Sequence, residues 1–201
     1  MKYNGPKVKL SRKLGIPLTA KAARIMDKKS HPPGEHGREK QFRRKVSDYA
    51  RQLLEKQRLR AQYNIHERQM RNYVDRAVRK KGVTGNTLIQ ILETRLDAFV
   101  HRAGLAPTIY AARQLVGHGH VQVNGRRVDL PAYELRPNDV VTIKESSRQM
   151  PLILDAVDNA NPPSYIELDK ANLRARLLRL PEREETPIIC ELPLVIEYYS
   201  R

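Results

Sequence analysis

Near residue 117 the apolar pattern of this 201-residue chain changes period, and few folds accommodate the change. From Thr87 to Ala103 apolar side chains recur at helical spacing as Leu88, Ile91, Leu92, Leu96, Phe99, Val100 and Ala103, up to Gly104. After Ala106-Pro107, Thr108 is placed to cap a short helix through Val116, which Gly117 ends. Beyond it the period is two. Val121-Gln122-Val123, Asn124-Gly125 and Arg126-Arg127-Val128 read as a hairpin, because Asn-Gly best adopts the positive φ angles of a type I′ turn. Pro137-Asn138-Asp139 makes a further turn into a strand at Val140-Val141-Thr142-Ile143. A module of two helices and a small antiparallel sheet is therefore expected over residues 92–158.

Upstream, residues 1–45 mix Lys and Arg with Gly and Pro, culminating in His31-Pro32-Pro33-Gly34-Glu35-His36-Gly37-Arg38. The density of helix breakers predicts a basic, extended segment. Ser47 is a candidate N-cap for a helix with Ala50, Leu53 and Leu54 on one side. A second helix is expected over 67–81, with Met70, Tyr73, Val74, Ala77 and Val78 on its stripe and Arg79-Lys80-Lys81-Gly82 at its end. Asn159-Ala160-Asn161-Pro162-Pro163-Ser164 reads as a linker. The rest, too short to form a core alone, is expected to pack on the first-half helices. The predicted fold is α+β: a mainly helical domain from 46–91 plus 159–201, with the 92–158 module inserted in it.

The chain carries 38 Lys and Arg against 22 Asp and Glu, a formal charge of +16. Residues 1–97 hold 25 of those basic and 9 of those acidic residues, so the whole excess lies in the first half. Such an asymmetry calls for a polyanion, since each neutralised phosphate releases counterions. The start, Met1-Lys2-Tyr3-Asn4-Gly5, has no apolar signal region, and no run approaches the length of a membrane span; no membrane partner is expected. The single cysteine, Cys190, excludes an internal disulfide and a cysteine-based zinc site, and reads as a small apolar residue of a C-terminal core.

In the module, Arg102-Ala103-Gly104-Leu105-Ala106-Pro107-Thr108, Ala112-Arg113-Gln114-Leu115-Val116 and Gly117-His118-Gly119-His120 bring a helix N-terminus, Arg and His donors and a glycine-flanked turn to one small area. That combination suits phosphate. The same run, continuing through Asn124-Gly125-Arg126-Arg127-Val128, closely resembles the RNA-binding module of the small ribosomal subunit protein S-four family. So do Ser11-Arg12-Lys13-Leu14-Gly15, Pro33-Gly34-Glu35-His36-Gly37, Glu55-Lys56-Gln57-Arg58-Leu59-Arg60 and Leu194-Val195-Ile196-Glu197-Tyr198-Tyr199-Ser200-Arg201, which extends the resemblance over nearly the full chain. With no cysteine between Leu10 and His36, the chain looks like the zinc-free, bacterial or organellar type. His31 and His36 alone do not make a metal site, and no cofactor is expected. Asn138 stands where the family has Gly and tolerates the same left-handed geometry.

What the resemblance implies is a non-enzymatic ribosomal component, cytoplasmic or in an organelle, that binds small-subunit ribosomal RNA early in assembly. It also implies a position near the messenger RNA entry path, beside the neighbouring protein S-five. Pattern and resemblance together assign RNA contact in the module to Arg102, Thr108, Arg113, Gln114, His118, His120, Asn124, Arg126 and Arg127. In the first half they assign it to Arg12, Lys13, His36, Arg43, Arg44, Lys45, Lys56, Arg58 and Arg60, the helical cations being read as a face uncompensated by acids four residues away. Recognition is expected to rest on shape, phosphate and 2′-OH groups.

Two rival classes can be weighed. Arg95-Leu96-Asp97 resembles the catalytic motif of pseudouridine synthases, some of which carry the same module. Their motif continues Thr-Ser-Gly, whereas Ala98-Phe99-Val100 follows here, so Asp97 is expected to pair with a nearby Arg instead. A free regulatory RNA binder is the second rival, separable from a ribosomal component by sedimentation.

Overall fold

The computed structural model describes residues 3–37 and 46–200. It is α+β, with two compact units: one formed by the described residues up to Asp75 together with Ile188–Ser200, the other by Arg76–Pro187.

In the first unit, α1 (Lys7–Leu14) and α2 (Ala20–Lys28) occupy the segment that composition predicts to be extended. This corrects the expectation of an extended segment for the described residues 3–37. Both helices are short, and their signals are caps: Gly15 closes α1 in the left-handed region (φ 69°), and Thr19 Oγ1 accepts from Ala22 N at 3.2 Å to open α2. Leu14, Ile16 and Ala22 are buried. Ser11, also buried, donates to Lys7 O at 2.9 Å and accepts from Leu18 N at 3.2 Å, tying the turn to α1.

Ser47 caps α3 (Asp48–Gln62) as predicted, accepting from Ala50 N at 3.3 Å. The helix buries Leu59, and α4 (Glu67–Arg79) buries Met70, Tyr73 and Val74. The C-terminal helix α9 (Leu192–Tyr199) packs on α3 with Leu192 and Val195 buried. Its seat is polar as well: Gln52 Nε2 donates to Glu197 Oε2 at 3.0 Å, and Glu191 N donates to Glu55 Oε2 at 2.9 Å.

In the second unit, the helix expected over 87–103 is two helices, α5 (Thr84–Glu93) and α6 (Leu96–Arg102). The chain turns extended at Arg95 (φ −65°, ψ 139°) because backbone partners from a later loop compete there: Leu135 N donates to Thr94 O and Leu96 N to Tyr133 O, both at 2.8 Å. α7 (Ile109–Gly117) follows, with Thr108 Oγ1 accepting from Ala111 N at 3.2 Å.

The hairpin of β1 (Val121–Val123) and β2 (Arg126–Arg127) turns at Asn124 (φ 50°) and Gly125 (φ 78°), and β3 (Val140–Ile143) pairs antiparallel with β1. Asn138 has φ 73°, the left-handed geometry expected of it. After a 3-10 turn at Glu145–Ser147 and α8 (Pro151–Asp158) come β4 (Ile166–Asp169) and β5 (Arg174–Leu177).

These last two strands correct a second expectation. Residues 166–177, expected to return to the first-half helices, extend the module's sheet, whose order is β2-β1-β3-β5-β4 with antiparallel pairs throughout. Ala175 and Leu177 face the core while Arg174 and Arg176 face solvent. Pairing of β5 with β3 joins residues about 35 positions apart (Val140 with Arg176), which no local pattern announces. The core beneath gathers Phe99, Val100, Leu115, Val121, Val141, Ile143, Ile153, Tyr165 and Leu177.

Candidate nucleic-acid interface

An exposed cationic feature of the second unit lies where α7 turns into the hairpin. Gly117 and His118 are exposed, and Gly119 takes φ 74°, which lets the chain reverse within one residue. Arg127 folds back onto this turn: a Cβ on Gly119 would stand 2.3 Å from Arg127 Nε. The rings of His118 and His120 lie 6.1 Å apart between centroids. His120 is half-buried, with Nδ1 at 2.8 Å from Ser147 Oγ, which fixes its ring. Arg126 and Arg127 alternate along the edge strand β2, both exposed, with Gln114 exposed on α7 nearby in sequence. Guanidinium donors with a Gly-lined approach form a surface suited to phosphate oxygens.

Several residues assigned to RNA are engaged within the protein instead. Arg113 Nη1 donates to Asp97 Oδ2 at 2.9 Å, and Arg95 grips the same carboxylate through Nε to Oδ1 (3.0 Å) and Nη2 to Oδ2 (2.6 Å). Ala98 N adds a bond to Oδ1 at 3.0 Å. Asp97 and Arg95 have no exposed side-chain surface. The carboxylate is thus a buried structural anchor, as the sequence predicts, with no route to a substrate.

Arg102 is likewise occupied, donating from Nε to both oxygens of buried Glu93 at 3.1 Å and from Nη2 to Oε1 at 2.9 Å. Tyr165 OH donates to Glu93 Oε2 at 3.2 Å, and burial with the adjacent carboxylate drives that phenol well above its ordinary range. Thr108 caps α7. Asn124 braces the hairpin: Nδ2 donates to Asp139 Oδ1 and Oδ1 accepts from Val140 N, both at 2.9 Å. These side chains shape the surface more than they line it.

In the first unit, Arg12 holds the Pro-Gly loop, donating to His31 O at 3.0 and 3.2 Å and to Pro32 O at 3.4 Å. Gly37 is required there, since its Cβ would fall 2.0 Å from Pro32 O. Lys13 and His36 are exposed. Arg43, Arg44 and Lys45 lie outside the described residues.

The face of α3 read as uncompensated is compensated from elsewhere. Lys56 is only 4% exposed, with Nζ at 2.9 Å from Glu67 Oε2 and 4.5 Å from the Tyr198 ring centre. Arg60 Nη1 donates to the same Oε2 at 2.8 Å, and Tyr199 OH to Oε1 at 2.8 Å. Arg58 donates to Leu14 O at 2.8 Å and Glu55 Oε1 at 2.6 Å. Lys56 and Arg60 therefore join α3 to α4 through Glu67, and Arg58 joins α3 to α1 through Leu14 O.

Exposed cations that the sequence reading passed over lie on the unforeseen helices: Lys9, four residues before the assigned Lys13, on α1, and Lys21, Arg24 and Lys28 on α2. Their i,i+4 and i,i+3,i+7 spacings put each set on one face. The caps Gly15 and Thr19 were the signals that could have revealed them.

Two family models match the chain. Residues 2–93 match the family model described as ribosomal protein S4/S9 N-terminal domain, and 94–141 match the S4 domain. The junction falls at the break between α5 and α6. The chain is 49% identical to the small ribosomal subunit protein uS4 of Streptomyces avermitilis, over 98% of this chain and 97% of that protein. It is 47% identical to that of Thermosynechococcus vestitus, over 100% and 98%. With that of Aquifex aeolicus the identity is 44%, over 100% and 99%.

Proposed function

The chain belongs to the ribosomal protein S4 family, and from that premise we propose that it is a structural component of the small ribosomal subunit that binds small-subunit ribosomal RNA and catalyses no reaction. The observation that carries the reading is the exposed turn of His118, Arg126 and Arg127 around Gly119, beside helices whose arginines Arg102 and Arg113 are paired with buried carboxylates. Such a surface neutralises phosphate at a fixed position on folded RNA. The exposed cations of α1 and α2 add bulk neutralisation: residues 1–75 and 188–201 together carry 21 Lys and Arg against 9 Asp and Glu.

In the finer reading the protein binds early, helps nucleate subunit assembly in the cytoplasm or an organelle, lies near the messenger RNA entry path and touches the neighbouring protein S-five. No helix among the described residues is long and apolar enough to cross a membrane.

Chemical footprinting on naked small-subunit ribosomal RNA tests the reading. The expected result is a compact set of backbone protections, with co-sedimentation on the small subunit that survives high salt. Absence from the subunit, with RNA binding retained, would instead identify a free regulatory binder.

A further inference from the structure

Beside the α6–α7 turn lies a cleft of about 460 Å³ that the cationic surface does not use. Its volume falls within the range of small-ligand sites, about 300–1,000 Å³. Its lining combines apolar Ala106, Pro107, Leu152 and Ala156 with polar His101, Asp155, Asn159 and Asn161; Leu152, Asp155 and Ala156 share one face of α8, so apolar and polar groups stand side by side there. Gly104 sets its depth: at φ 77° it approaches the 159–161 segment so closely that a Cβ would stand 2.3 Å from Ala160 Cβ.

The polar part of the lining is rich in acceptors. His101 Nδ1 lies 3.1 Å from Ala106 O, and because a carbonyl only accepts, Nδ1 carries the proton. Burial, outweighing that bond, lowers the His101 pKa, so the ring is neutral and Nε2 keeps a lone pair. Asn159 Nδ2 already donates to Asp155 O at 2.9 Å, which leaves its Oδ1 as an acceptor. Exposed Asp155 contributes a carboxylate. Arg102, also at the rim, is held by Glu93.

We propose that this cleft receives an unstacked guanine of the bound RNA, its ring against the apolar lining residues and its N1–H and N2–H₂ donors on the polar acceptors beside them. The inference rests on the reading of the protein as an RNA binder. Among the nucleobases guanine alone presents adjacent N1–H and exocyclic amine donors on one edge, the arrangement a carboxylate accepts best, and the amide of Asn161 supplies a donor for O6. Unmatched acceptors disfavour the other bases, whose edges would set acceptors against them.

The test is kethoxal probing, which reads guanine N1 and N2, on small-subunit ribosomal RNA bound to the full chain. Wild-type protein is expected to protect one unpaired guanine in addition to its backbone footprint. Asp155→Asn and Leu152→Glu, both at exposed positions, are expected to raise the reactivity of that guanine by about tenfold while the backbone footprint stays. Circular dichroism checks that both variants fold. Guanine reactivities unchanged in both variants would overturn the proposal, whether the cleft is empty or takes a protein side chain. Absence of any wild-type footprint would instead overturn the underlying RNA-binding reading.

Discussion

Arg113, in the middle of α7, reaches back to the first turn of α6 and donates from Nη1 to Asp97 Oδ2 at 2.9 Å. Its side chain is 14% exposed and that of Asp97 not at all, so the pair belongs to the interior of the module. An arginine whose sequence context suits phosphate thus fastens two helices together, and the cations left for RNA are those of the hairpin.

Arg113→Ala should therefore behave as a stability variant. Removing one partner of a buried pair strands the other charge, which costs about 3–5 kcal/mol when nothing compensates. Arg95 still grips Asp97, so the expected loss is about 2 kcal/mol, measured by urea unfolding. This revises the reading of Arg113 as an RNA contact from its sequence context. An unchanged unfolding midpoint would refute the structural role.

Arg126→Ala and Arg127→Ala should do the reverse. Both residues are exposed on the edge strand, and neither supports the core. Thermal unfolding should stay where it is in wild type, while affinity for small-subunit ribosomal RNA falls. Each variant should also flatten the dependence of log affinity on log salt by about one, as loss of a phosphate contact requires. Filter binding at several salt concentrations measures the slope. A slope equal to wild type in both variants would remove the hairpin from the interface.

Gly119→Ala joins the two effects. The left-handed backbone (φ 74°) costs an L residue about 1 kcal/mol, so a modest loss of stability is expected. The new methyl would also occupy the space of Arg127 Nε, 2.3 Å away, and the flexible guanidinium would swing off the turn. RNA affinity should then fall as far as in Arg127→Ala, and the double variant Gly119→Ala with Arg127→Ala should bind no worse than Arg127→Ala alone. Additive losses would argue that Arg127 does not need its seat on Gly119.

Legibility in the sequence followed the range of the interactions. The hairpin, the Ser47 and Thr108 caps and the turn at Asn138 rest on contacts within a few residues, and each was readable. The helices α1 and α2 rest on contacts just as local, but the Lys, Arg and Pro around Gly15 and Thr19 masked two short apolar stripes. Strands β4 and β5 were unreadable for a different reason: Arg174-Ala175-Arg176-Leu177 alternates correctly, yet its partner strand at Val140–Ile143 lies far upstream. The same limit applies to charge. The i,i+4 rule finds no acid for Lys56, because its partner Glu67 sits eleven residues away on the next helix.

That pairing gives stability a pH dependence. Burial raises the Glu67 pKa, but hydrogen bonds from Lys56 and Tyr199 and the charges of Lys56 and Arg60 outweigh it, leaving the folded carboxyl below its ordinary 4.5. A depressed carboxyl stabilises the fold fully above its unfolded pKa and loses that contribution as pH falls through the folded value. Glu67→Gln should consequently be less stable than wild type at neutral pH, because Lys56 stays buried without its counter-charge. The Glu67 side chain is 44% exposed, so water screens the pair and the difference should be about 1–2 kcal/mol rather than that of a fully buried bridge. As pH falls below 4.5 the wild-type carboxyl protonates and the two proteins should converge. Urea unfolding of both at pH 7, 5, 4 and about 3 measures this, over the range where carboxylates titrate. A difference that stays constant across the series would mean that the Glu67 charge contributes nothing to holding α3, α4 and α9 together.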